Sequence, residues 1–208
     1  MNPRSVSPFN LPARPLLMIL SGTSGAGKDA ILNRMKELNC SFAHITTVTT
    51  RPRRDNEKDN VDYQFTSTEK FHEMIKHDEL LEWAKVYGNF YGVPRQPVKQ
   101  ALDNGQDVII KVDVQGAATI KKAAPQAIFI FLMPPSIEDL ILRLKQRRTE
   151  SVPDLELRIK TAEAEMKLLQ LFDYVVVNRH NEIDRAATDI MAIITAEKCR
   201  VTTREITL

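Results

Sequence analysis

Ser21-Gly22-Thr23-Ser24-Gly25-Ala26-Gly27-Lys28-Asp29 follows the pattern G-x-x-x-x-G-K, a phosphate-binding loop in which Asp29 stands where Ser or Thr is usual. Gly22, Gly25 and Gly27 let the backbone turn tightly and approach an anion. Successive N–H groups of such a loop form a nest for phosphate oxygens, and Lys28 reaches toward the outer phosphates. The preceding Leu16-Leu17-Met18-Ile19-Leu20 is a continuous apolar run, the signature of a parallel strand buried on both faces. Downstream, Ile31, Leu32, Met35 and Leu38 recur at helical spacing, which puts the loop at a helix N-terminus whose dipole favours anions. Strand, loop, lysine and helix together imply a nucleoside triphosphate site built from Gly22, Thr23, Ser24, Gly25, Ala26, Gly27, Lys28 and Asp29.

Composition narrows what surrounds this loop. A chain of 208 residues with 43% hydrophobic and 27% charged side chains suits one large domain with small insertions. Lys+Arg 29 against Asp+Glu 27 gives a net charge of +2, far from the basic excess of a dedicated nucleic-acid binder. No apolar run approaches the ~18 residues of a membrane span. Cys40 and Cys199 form no metal or redox motif, as expected of a reduced, cytoplasmic setting. Residues 1–15 hold four prolines and no acid, and read as a disordered leader.

Taken in order, the β-branched run Ala43 to Thr50 predicts a strand that leads into Arg51-Pro52-Arg53-Arg54. That cluster suits either a solvated basic turn or an anion clamp, since guanidinium forks match phosphate oxygens bidentately. Tyr63-Gln64-Phe65 predicts a short strand, and Thr68 a cap for a helix carrying Phe71, Met74 and Ile75. Leu80 to Val86 and Tyr87 to Val93 predict a hairpin with an aromatic face. Residues 47–95 thus form a small, mostly β insertion. A helix entered at Pro97 and stopped at Asn104-Gly105 resumes the α/β pattern. Asp107 to Asp113 is a buried-type strand ending in a carboxylate, where open α/β sheets bind ligands. Ala127 to Leu132 predicts another strand, Ser136 and Asp139 cap the helix through Gln146, and Asp154 to Phe172 predicts a long helix. Tyr174 to Val177 and Ile183 to Ala196 close the chain as strand and helix. The fold class is α/β: a P-loop NTPase-type parallel sheet wrapped by helices.

Several further stretches carry a more specific resemblance. Thr50-Arg51-Pro52-Arg53-Arg54, Asp62-Tyr63-Gln64-Phe65, Glu82-Trp83-Ala84, Gly88-Asn89-Phe90-Tyr91-Gly92 and Asp113-Val114-Gln115-Gly116 resemble the guanylate kinases in order and spacing. Pro134-Pro135-Ser136 and Arg147-Arg148-Thr149-Glu150 extend the likeness across residues 16–196. The resemblance implies a core over 16–46, 96–137 and 173–208, a GMP-binding domain over 47–95 and a helical lid over 138–172. It implies the reaction ATP + GMP → ADP + GDP with Mg²⁺, two small-molecule substrates, and neither nucleic acid, membrane nor obligate protein partner. Glu82 matches the residue that reads guanine, helped by Thr47 and Asp113. The chemistry agrees: guanine presents N1–H and its 2-amino group side by side, and one carboxylate accepts both. Arg51, Arg54, Tyr63 and Tyr91 match residues that hold the GMP phosphate; Lys28, Arg143, Arg147 and Arg158 match those acting on the transferring phosphoryl group.

Three positions depart from the family pattern. Asp29 replaces the hydroxyl that ordinarily ligates Mg²⁺, and is expected to offer the metal a hard oxygen, directly or through one water. ATP binding should then depend on Mg²⁺ more steeply than with a hydroxyl. Val93 stands where Ser or Thr commonly faces guanine, so Val93→Ser is expected to lower KM for GMP modestly. Arg148 stands where glycine is common. Two alternatives accompany the resemblance: a non-catalytic binding module of the same fold, and a nucleoside monophosphate kinase with another base preference.

Overall fold

The computed structural model describes residues 14–55, 57–86, 88–146, 152–202 and 204–208. The expected leader therefore lies, but for Arg14 and Pro15, outside the described residues. In chain order, β1 (Leu17–Gly22) leads into α1 (Lys28–Glu37) and β2 (Ala43–His44). Then follow β3 (Val48–Thr49), β4 (Gln64–Phe65), α2 (Thr68–Lys76) and a hairpin of β5 (Leu80–Val86) and β6 (Asn89–Pro94). The chain returns through α3 (Arg95–Asp103), β7 (Val108–Lys111), α4 (Val114–Ala123) and β8 (Ile128–Met133). Helices α5 (Ile137–Gln146) and α6 (Val152–Met166), a 3-10 turn at Leu169–Leu171, β9 (Tyr174–Val177) and α7 (Ile183–Lys198) complete it.

Among the described residues these strands make two sheets. The larger runs β2-β7-β1-β8-β9 with every pairing parallel, and β1 sits at its centre. All six residues of β1 are buried, because helices cover both faces and a period-2 strand must fill both. Met18 and Leu20 pack with Ile31, Leu32 and Met35 of α1 and Ile190 of α7. Leu17 and Ile19 point the other way, toward Val98 of α3 and Ala117 and Ile120 of α4. Each such side chain contributes about 2 kcal/mol by leaving water. Truncating Ile19 to Ala would cost about 2–5 kcal/mol through lost contacts and a residual cavity.

The smaller sheet runs β4-β3-β6-β5, with β3 parallel to β4 and the other pairs antiparallel. Here the structure corrects the single strand expected over Ala43 to Thr50. Ala43–His44 belongs to the large sheet, and Val48–Thr49 to the small one. Between them Ile45 stays in the core, so the chain changes sheet over Thr46-Thr47. Three boundaries also move. Ser67, not Thr68, caps α2 by accepting from Lys70 N–H. Helix α3 begins at Arg95, which leaves Pro97 in the first turn, where a missing N–H costs no hydrogen bond. The long helix ends at Met166 and tightens into the 3-10 turn. Among the described residues no helix is long and apolar enough to cross a membrane.

Candidate active site

The phosphate loop connects β1 to α1 at the carboxyl end of the central strand, the crevice where open parallel sheets bind ligands. Glycine is obligatory at its entry. Gly22 has φ +140°, and a Cβ there would fall 1.9 Å from the carbonyl oxygen of Leu132 on β8. Gly27, at φ 96°, starts α1 without a side-chain cap, so the first-turn N–H groups remain directed at the loop. The Lys28 ammonium folds over the loop and donates to the carbonyls of Gly22 at 2.7 Å and Thr23 at 3.3 Å. Burial draws its pKa below the usual lysine value, while Glu165 and Asp29 pull the other way. The Ser24 N–H donates to the Glu165 carboxylate of α6 at 3.3 Å, so an anionic group already engages this nest. Burial raises the Glu165 pKa, with Lys28 opposing.

Arg143 on α5 reaches the same loop. Its Nη1 donates to the Ala26 carbonyl at 3.3 Å and its Nη2 to the Asn178 carbonyl at 2.6 Å. Asn178 in turn donates from Nδ2 to Ala26 at 2.8 Å, which ties the end of β9 to the loop. Arg147 and the side chain of Arg158 lie outside the described residues.

In the small sheet, Glu82 on β5 is 5% exposed, and its Oε2 has no hydrogen-bond partner among the described residues. The hydroxyls of Ser21 and Thr23, at the end of β1, share that property among the described residues. A carboxyl buried this way is held at about pH 8, first by desolvation and then by the charge of Asp113. Asp113 caps α4, its Oδ1 accepting from Gly116 N–H at 2.7 Å. Gly116 makes room for the acid, because a Cβ there would stand 2.9 Å from Glu82 Oε2. Thr47 is buried between β2 and β3, its carbonyl accepting from Gln64 N–H at 2.9 Å.

The basic and aromatic residues form a cluster of their own. Tyr63 meets Tyr91 edge-on with ring centroids 6.0 Å apart. The Arg51 guanidinium lies 5.4 Å from the Tyr63 ring and 5.7 Å from that of Phe65. Glu57 orients this cluster: one oxygen pairs with Arg51 at 2.7 Å, and the other accepts from Arg54 N–H at 2.9 Å. The Arg54 side chain itself is exposed. Val93 is fully buried in the apolar cluster with Leu17, Ile19 and Leu81, so its side chain serves the core.

Sequence reasoning singled out most of these residues but missed four: Glu57, Lys111, Glu165 and Asn178. Lys111, at the end of β7, pairs with the Asp29 carboxylate and donates to Tyr63 Oη at 3.4 Å. A lysine ending a buried strand two residues before Asp113 was the available signal, since a cation placed there demands a partner. The other three lie in turns or on the far helix, where nothing local marks them.

The guanylate kinase family model matches residues 14–197. A guanylate kinase of Caldanaerobacter subterraneus subsp. tengcongensis is 44% identical over 186 residues, 89% of each chain. The rice protein named guanylate kinase 2, chloroplastic/mitochondrial, is 40% identical over 205 residues, covering 98% of this chain and 72% of the rice protein. Among solved structures, guanylate kinase from Anaplasma phagocytophilum superposes with a TM-score of 0.75 at 31% identity, covering 92% of this chain and 90% of that one. A phosphate loop on the central strand, a buried acid on a second sheet, and this likeness along nearly the whole length lead to one conclusion: the chain belongs to the guanylate kinase family.

Proposed function

We infer that this enzyme transfers the γ-phosphoryl group of ATP to GMP, giving ADP and GDP. The observation that carries the reading is Glu82, a buried carboxyl with an unpartnered oxygen, aimed from the small sheet at the N-terminus of α4. Burying an acid without a partner costs stability, so such a group marks a place built for a ligand with donors. Guanine supplies two adjacent donors; adenine offers an acceptor at N1 and no 2-amino group. Once ionised, Glu82 accepts from both, with Thr47 and Asp113 lining the same base. We assign Arg51, Arg54, Tyr63 and Tyr91 to the GMP phosphate, because guanidinium and phenol groups there supply the donors a phosphate needs.

The acceptor oxygen of a phosphate is already anionic near neutral pH, so no general base is required. Catalysis is then positioning and charge neutralisation. Residues 22–29 cradle the ATP phosphates, with the Lys28 ammonium leaving its loop carbonyls for phosphate oxygens. Arg143 belongs at the same phosphates, and Arg147 and Arg158 complete the lid over 138–172 that closes above them. Residues 47–95 form the GMP-binding unit, and 16–46, 96–137 and 173–208 the core. Lid closure excludes water and so limits futile hydrolysis of ATP.

Mg²⁺ fits this loop as a companion of ATP. No group of three or more His, Cys, Asp or Glu able to hold a metal occurs among the described residues. Mg²⁺ requires none, since it keeps waters and phosphate oxygens and takes only one or two carboxylates. Asp29, 69% exposed on the first turn of α1, supplies such an oxygen. Bound there, the metal neutralises charge on the transferring phosphoryl group. We place the enzyme in the cytoplasm, in keeping with its free thiols Cys40 and Cys199.

The test is to follow ATP, Mg²⁺ and GMP with the purified protein by phosphorus NMR. ADP and GDP should appear in equal amounts; ADP formed without GDP would overturn the reading.

A further inference from the structure

We propose that Lys111 is a positioning residue for the phosphoryl donor: its ammonium cancels the charge of Asp29 at the phosphate loop. The Asp29–Lys111 pair then does there what a neutral hydroxyl does in the usual motif. The inference rests on the reading of residues 22–29 as the ATP site, and its test separates the two.

The pair joins elements far apart in sequence. Asp29 opens α1 beside Lys28, and Lys111 ends the neighbouring strand β7. The Lys111 side chain is only 13% exposed, against 69% for Asp29. It is held by two residues: by the Asp29 carboxylate, and by Tyr63 through both its Oη and its ring, whose centroid lies 4.9 Å from Nζ. Burial alone would lower the ammonium pKa, but Tyr63 and Asp29 together carry it above the usual value. A buried lysine is costly unless paired, so this one is a built part of the site, unlike a surface ion pair of little worth.

Consequences follow from charge. Lys28 feels Asp29 and Lys111 with opposite signs, so Lys111 offsets part of the field of the carboxylate there. Without Lys111, the Asp29 carboxylate would lose this buried counter-charge on the first turn of the helix that receives the phosphates. A unit charge at that range, partly screened by solvent, weakens binding of a polyanion by about tenfold to a hundredfold. With Lys111 beside Asp29, the metal is not the only counter-charge, which makes the Mg²⁺ dependence shallower than the carboxylate alone would suggest.

The test measures the Kd of metal-free ATP calorimetrically, in chelator at fixed ionic strength. It compares the wild type, Lys111→Met, Lys111→Arg and the double variant Lys111→Met/Asp29→Ser, with thermal denaturation confirming the fold of each. Lys111→Met should weaken ATP by about tenfold or more, Lys111→Arg should remain near wild type, and the double variant should recover to within about threefold. A structural role alone would leave the double variant as weak as Lys111→Met. Either that result or wild-type binding by Lys111→Met would overturn the proposal. Should Lys111→Met fail to fold, Asp29→Ser alone decides. It should tighten metal-free ATP by about tenfold, because an uncancelled Lys111 then faces the phosphates; an unchanged Kd would overturn the proposal. A wild type that binds no ATP would instead remove the phosphate-loop reading.

Discussion

Substituting Glu82 with Gln should separate stability from recognition, and the size of both effects follows from where the acid sits. Its carboxyl is held at about 8 in the folded chain, against 4.5 for the free side chain, because burial and Asp113 oppose its charge. Between these values the folded state keeps a proton that the unfolded state has lost. Stability therefore falls as pH rises through this window and levels off above it, by about 5 kcal/mol in total. Glu82→Gln has no proton to lose, so the wild-type curve should drop relative to the variant by about 3–4 kcal/mol between pH 5 and pH 8. Urea denaturation at each pH measures it, and the difference between the proteins cancels all other titrating groups. The same proton governs binding. Guanine needs the ionised acid, so the wild-type Kd for GMP should improve by about 50-fold from pH 6 to pH 8. Titration of the GMP phosphate itself contributes in both proteins, and Glu82→Gln should show that part only. If the two proteins gave superimposable pH slopes in both measurements, the raised carboxyl and its role toward guanine would both be wrong.

Other substitutions probe the neighbouring contacts. Gly116→Ala sets a Cβ 2.9 Å from Glu82 Oε2 and should displace the acid; steady-state kinetics should show KM for GMP up by about tenfold with KM for ATP unchanged. Val93→Ser buries a hydroxyl among Leu17, Ile19 and Leu81 and should cost about 1–3 kcal/mol in denaturant without lowering KM for GMP. Glu165→Ala removes the carboxylate that accepts from Ser24 N–H, and should tighten ATP by about threefold to tenfold in a calorimetric titration.

How far the sequence could be read depended on whether the physics was local. The phosphate loop is local: its glycines answer to backbone angles and close approach, and β1 to burial on both faces. The hairpin over residues 80–94 and the closing strand and helix were legible for the same reason. The run Ala43 to Thr50 misled because β propensity reports a pleated, half-buried surface without saying in which sheet. Only the tertiary structure splits it between β2 and β3. Glu82 could be suspected from its resemblance to a family motif, but its burial arises where β5 meets Gly116, thirty-odd residues on. The Asp29–Lys111 pair was least legible. Asp29 stands out as a departure from the motif and Lys111 as a cation at the end of a buried strand, but only the parallel pairing of β1 with β7 brings the two together.

The most direct test of the account is the ratio of kcat/KM for GMP to that for AMP, measured by ADP release in the wild type and in Glu82→Gln. If a buried acid reads guanine, the wild type should prefer GMP by about a thousandfold or more, and the variant should lose most of that preference, chiefly through GMP. A variant that keeps the wild-type ratio would contradict it.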